Sequence, residues 1–226
     1  MKEQVEPEVQ SMAEQTQRQG GAGGGRALVI VDVQNDFCPG GALGVPEGDK
    51  VVPVLNEYAR RFAERGWKVL ASRDWHPKES THFRSGGGPW PEHCVRDTPG
   101  ADFHPDLKLP EGTEIISKGT GPEEHGYSCF EGRTEGGEEL ADYLRREGVD
   151  HLYVGGIATD YCVKQTVLDG LKQGFKVTLL LDAIRGVDVE EGDSARAIDR
   201  MIRAGAKTAT LETVMEGEPG ADGSAG

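Results

Sequence analysis

The sequence predicts an α/β domain of three layers (α/β/α), with a mostly parallel central sheet flanked by helices. Two observations carry that expectation. Strand-like apolar runs at 27–31, 67–71, 114–117, 151–154, 176–181 and 208–211 alternate with stretches of helical period at 52–65, 138–147, 160–173 and 194–204. The clearest run, Ala27-Leu28-Val29-Ile30-Val31, is apolar at every position, so both of its faces need cover. Helices packed on each side of a parallel sheet supply that cover.

Each helical stretch is followed by a glycine, at Gly66, Gly148, Gly174 and Gly205, the residue that most readily closes a helix in the left-handed conformation. Residues 1–25 are polar and end in Gly20-Gly21-Ala22-Gly23-Gly24-Gly25, and are expected to form a disordered N-terminal arm. Residues 215–226 read as a disordered acidic tail. One domain is left, over 26–214, a size that a single core supports.

The formal net charge of -14 argues against nucleic acid or an anionic membrane as partner, because both would require a basic patch. No run approaches the ~20 apolar residues of a membrane-spanning helix, and residues 1–17 lack the apolar core of a secretion signal. The four cysteines, Cys38, Cys94, Cys129 and Cys162, are scattered and form no CxxC pair, which speaks against a zinc knuckle and for reduced thiols in the cytoplasm.

In an open parallel sheet the ligand site lies beyond the carboxyl ends of the strands. The first strand runs into Asp32, the third ends at Lys118, and the fourth leads through Gly155-Gly156 to Cys162 at the start of a helix. The bland readings are a helix-capping aspartate, a solvated lysine and a small buried cysteine. Together, however, the three supply a base, a cation and a nucleophile. A helix N-terminus is expected to pull the Cys162 thiol pKa down.

The second strand exits through Asp74-Trp75-His76, with His82 and His93 beyond, and three of the six histidines fall between residues 76 and 93. Any one of them could be a loop residue. As a cluster beside Asp74 they suit a divalent ion such as zinc, iron or manganese. Phe37, Trp90 and Tyr127 lie in Gly/Pro-rich loops and could clamp a flat ring or simply pack.

Five motifs occur in order: VDVQNDF at 31–37, RDWH at 73–76 with His82, WPEHCV at 90–95, SKGT at 117–120 and GIATDYCV at 156–163. In these the chain resembles the nicotinamidases (pyrazinamidases), a branch of the isochorismatase-like cysteine hydrolases. The resemblance implies a catalytic triad of Asp32, Lys118 and Cys162. It implies metal ligands Asp74, His76 and His82, with His93 a further one, and an oxyanion hole of the Ala158 and Cys162 N–H groups beside a cis Ile157–Ala158 bond. Phe37, Trp90 and Tyr127 become substrate-binding residues. The implied reaction converts nicotinamide to nicotinate and ammonia through a cysteine thioester, with one divalent metal ion (zinc first) on the pyridine ring, in NAD salvage.

The alternatives are a relative acting on another small amide or carbamoyl compound, a catalytically silent binding member, and a pure metallohydrolase with a structural Cys162. The homo-oligomer state is left open. Two features depart from the family pattern: Cys129 stands where glycine or another small residue is expected, and residues 119–125 differ. Cys38 and Cys94 are assigned no catalytic role.

Overall fold

The structure is a computed structural model that describes residues 25–216. Seven strands form one sheet: β1 (Gly25–Val31), β2 (Lys68–Asp74), β3 (Glu114–Lys118), β4 (Arg133–Thr134), β5 (Val149–Ile157), β6 (Lys176–Arg185) and β7 (Lys207–Ala209). Their spatial order is β4-β3-β2-β1-β5-β6-β7. Every described pairing is parallel except β3 with β4. The helices are α1 (Val51–Glu64), α2 (Leu140–Arg146), α3 (Lys164–Lys172), α4 (Asp193–Arg203) and α5 (Leu211–Glu216).

The alternation of side chains along β1 divides the core in two. Leu28 and Ile30 join Leu55, Tyr58 and Phe62 of α1 on one face of the sheet. Ala27, Val29 and Val31 face the other way, onto Leu140 and Leu144 of α2, Val167 of α3 and Met201 of α4. The central strand is therefore apolar throughout because both of its faces are covered. The four helix-closing glycines have φ between 68° and 111°, the left-handed conformation that the sequence pattern implies.

Several boundaries differ from expectation. Gly25 belongs to β1 rather than to an arm, its N–H donating to the Gly148 carbonyl at 2.9 Å. The expected strand at 208–211 stops at Ala209, and Leu211 opens α5, because its N–H is taken by the Asp182 carboxylate at 2.8 Å instead of by the sheet. The helix expected from 138 begins at Leu140, since Glu138 closes a turn with Thr134. That turn follows β4, a two-residue strand too short to leave a periodic signal. Residues 1–24 and 217–226, on which most of the expected arm and tail fall, lie outside the described residues. Among the described residues no helix is long and apolar enough to cross a membrane.

Leu55 is fully buried, whereas Ile202 on α4 is 47% exposed. Leu55→Ala should cost about 2–5 kcal/mol by loss of burial and cavity formation, and Ile202→Ala should stay within about 0.5 kcal/mol. Denaturant melts of both variants check the assigned core.

Candidate active site

Because the strands are parallel, their carboxyl ends meet at one edge. Asp32 follows β1, Asp74 and Lys118 end β2 and β3 as direct register partners, and β5 leads to Cys162. Asp32 has φ 50°, a left-handed conformation that ends the strand and turns the chain. Its N–H donates to the Ser72 carbonyl at 3.2 Å, and the Ser72 hydroxyl donates to Oδ1 at 2.7 Å.

Lys118 is fully buried and its ammonium is surrounded by acceptors. Nζ lies 2.7 Å from Asp32 Oδ2, 2.5 Å from the Gly126 carbonyl and 3.7 Å from Cys162 Sγ, and it also donates to Asp74 Oδ1. Burial opposes the lysine charge, but Asp32 and Asp74 overcome it and hold the pKa well above its ordinary value. Burial likewise raises the Asp32 pKa, against the pull of Lys118 and with the help of Asp74. Asp74, also buried, is drawn below its ordinary value by Lys118 and His76. Of the two carboxylates that share the ammonium, Asp32 is thus the better proton acceptor.

Cys162 sits at the strand-to-helix junction, but on a π-helical turn (Thr159–Val163) that precedes α3. The Val163 N–H reaches back five residues to the Ala158 carbonyl at 3.1 Å. Such turns recur at functional sites because they redirect one side chain from a helix. The thiol pKa is not depressed as expected. Burial raises it well above the ordinary value, Lys118 opposes, and the Asp32 and Asp74 carboxylates add to the rise. These contributions favour the thiol form, with Asp32 among the groups that act on it.

The histidines converge beside this unit. His76, His82 and His93 are buried, and one ligand nitrogen from each lies within 4.8 Å of the others. Asp74 Oδ2 is 3.4 Å from His76 Nε2 and 3.9 Å from His93 Nε2, so it borders the cluster from below. Neither ring nitrogen of His76 has a hydrogen-bond partner, although both are buried. Orphaned buried imidazole is costly, and three clustered nitrogens with a carboxylate form a donor set that fits a divalent ion. Burial, with the neighbouring His76 and His93, pulls the His82 pKa down to about 3, keeping it in the neutral form that ligation requires. Gly119 backs the His76 ring so closely that a Cβ there would lie 2.4 Å from Cε1.

A cavity of about 460 Å³, including its mouth, reaches both sets of residues. Phe37, Trp90 and Tyr127 all line it, along with Ala158 and Cys162. Trp90 Nε1 donates to the Tyr127 hydroxyl at 2.8 Å, so the two aromatics form one wall. The Ile157–Ala158 peptide is cis. The cavity also draws on Leu43, Val45, Tyr161 and Val187, which sequence reasoning missed. Tyr161 is the neighbour of Cys162, and its ring meets Trp90 edge-on at 5.3 Å.

The isochorismatase domain family matches the chain over residues 26–213. This chain belongs to the isochorismatase family. The nicotinamidase of Escherichia coli (strain K12) is 44% identical over 203 residues, covering 82% of this chain and 95% of that relative. Among solved structures, pyrazinamidase of Pyrococcus horikoshii in complex with zinc matches with a TM-score of 0.76 at 50% identity, over 82% of this chain and 99% of that one. PnC1 from L. infantum in complex with nicotinate matches at a TM-score of 0.74 and 31% identity, over 83% and 93% respectively.

Three further residues of this isochorismatase-family site were overlooked. Gln34 binds the backbone of Asp74 from both sides, its Oε1 accepting the Asp74 N–H and its Nε2 donating to the Asp74 carbonyl, each at 2.8 Å. Its place two residues after Asp32, just past an apolar strand, was the available signal. Asp36 accepts the Cys94 N–H at 2.8 Å and so ties the first loop to the segment carrying His93. His125, in the departing loop, lies 3.2 Å from His82. Cys129 is buried, its N–H donates to Thr166 Oγ1 at 3.0 Å, and burial pushes its thiol up to about 11.

Lys118→Ala should cost about 3–5 kcal/mol, because it strands two buried carboxylates without their counter-ion. A thermal or denaturant melt that finds the variant as stable as the parent would contradict the burial of both charges.

Proposed function

We propose that the chain is a nicotinamidase, which hydrolyses nicotinamide to nicotinate and ammonia through a thioester on Cys162. The observation that carries this reading is the Asp32–Lys118–Cys162 unit, opening on a small aromatic cavity beside the histidine cluster in a chain 44% identical to a nicotinamidase.

Phe37 and Trp90 flank the ring, and the Trp90–Tyr127 wall keeps it edge-on to the histidines. As Cys162 Sγ forms its bond to the carboxamide carbon, the thiol proton passes to Asp32. Asp32 accepts it readily, because burial and Asp74 lift its proton affinity. The N–H groups of Ala158 and Cys162 are the donors for the developing oxyanion. Asp32 then returns the proton to the departing amide nitrogen, the C–N bond breaks, and ammonia leaves.

In the second half Asp32 takes a proton from water as its oxygen attacks the thioester carbon. The C–S bond breaks, and the proton goes back to Cys162. Lys118 stays charged throughout and holds both carboxylates in place. His76, His82 and His93, with Asp74, would hold one divalent ion, zinc ahead of iron or manganese, which when bound supplies a Lewis acid for the pyridine nitrogen. We place the reaction in NAD salvage and in the cytoplasm, the latter supported by four free thiols.

Purified protein should release ammonia from nicotinamide, and Cys162→Ala should lower the rate at least about 10³-fold while leaving metal content unchanged. Alkylation of Cys162 should abolish activity, and nicotinate should protect against it. Activity that survives alkylation would instead favour a metallohydrolase. Chelation should remove activity, and added zinc, iron or manganese should restore it.

A further inference from the structure

His125 belongs to the loop in which this chain departs from its family, and neither the triad nor the three clustered histidines include it. Its Nδ1 lies 3.2 Å from Nδ1 of His82, with the two ring centroids 5.4 Å apart. One of these nitrogens must donate and the other accept. The comparable nitrogen of His93 faces the Pro91 carbonyl at 2.7 Å, an acceptor only, so His93 carries its proton on Nδ1 and keeps Nε2 free. His82 has no such carbonyl among its described hydrogen bonds; its Nδ1 meets an imidazole instead.

The loop holding that imidazole is tied to the rest of the chain at two points and braced once within itself. Pro122 accepts both the N–H of Thr81, at 2.8 Å, and its hydroxyl, at 3.0 Å, next to His82 itself. Glu124 accepts the Gly121 N–H at 2.9 Å. The Gly126 carbonyl receives Lys118 Nζ. His125 is therefore held between an anchor beside His82 and an anchor on the triad.

We propose that His125 is a positioning residue for the metal site: it accepts the Nδ1–H of His82 and thereby presents His82 Nε2 to the ion. This rests on the reading that His76, His82 and His93 hold a divalent ion. A ring nitrogen that binds a metal leaves the proton on the other nitrogen, and an acceptor there fixes the ring's tautomer and orientation. With its proton on Nε2, His125 is that acceptor. Its exposed position lets it be replaced without opening the core.

The test uses cobalt(II) and zinc, with full-length protein and the variants His125→Leu, His125→Asn and His82→Ala. Affinity is read by competition with a chromophoric chelator, and ligand geometry from the cobalt absorption bands. His125→Leu should bind about 10–100-fold more weakly, with shifted cobalt bands. His125→Asn, whose amide oxygen can accept the same proton, should restore most of the affinity and the parent spectrum. Parent-like affinity in His125→Leu, with binding lost in His82→Ala, would overturn the inference and leave the metal site standing. An asparagine variant as weak as the leucine one would overturn it too, because a hydrogen-bond acceptor would not then be what matters. Parent protein that takes up neither ion would overturn both readings.

Discussion

The buried ammonium of Lys118 is the interaction on which the rest of the site depends. Two carboxylates, from the ends of β1 and β2, sit in an interior where neither could remain ionised alone. One lysine from β3 answers both, and its third acceptor is a loop carbonyl. With two negative charges to one positive, the unit keeps an excess of negative charge. That excess falls unequally: Asp74, though buried, is drawn low by Lys118 and His76, and burial leaves Asp32 as the group with the raised proton affinity.

Asp74 joins two chemistries through its two oxygens. Oδ1 completes the lysine's shell, and Oδ2 faces His76 and His93. A displacement of Asp74 would disturb the lysine's shell and the histidine cluster together, which gives Gln34 its importance. Its amide clasps the backbone of Asp74 from both sides, and a hydrogen-bond pair of that kind resists rotation as well as translation. The parallel sheet provides the coarse convergence of strand ends, and buried polar braces of this sort set the final ångström.

The cavity complements this rigid base. Its walls are mostly apolar and aromatic, with Asp74, His82, His93 and Cys162 among the lining residues. The hydrogen bond between Trp90 and Tyr127 makes the outer wall a single unit rather than two independent rings.

The sequence by itself determined the layered α/β architecture, because patterns of burial on two faces and glycine helix ends are local properties written along the chain. It also placed Asp32, Lys118 and Cys162 at or beyond the carboxyl ends of three strands, because strand ends are legible. The histidines between 76 and 93 were visible as a cluster for the same reason of proximity. Tertiary structure alone decided how charge is shared. Burial reversed the expected shift of the Cys162 thiol, because a helix-end effect confined to the first turn is smaller than the desolvation of a buried group. Asp182 turned the expected end of the last strand into a helix, and only the fold brings that carboxylate to Leu211. His125 lies 43 residues from His82, and Gln34 lies 40 from Asp74, separations over which no spacing rule operates. Contacts between distant loops depend on how those loops pack, and packing is a property of the whole chain.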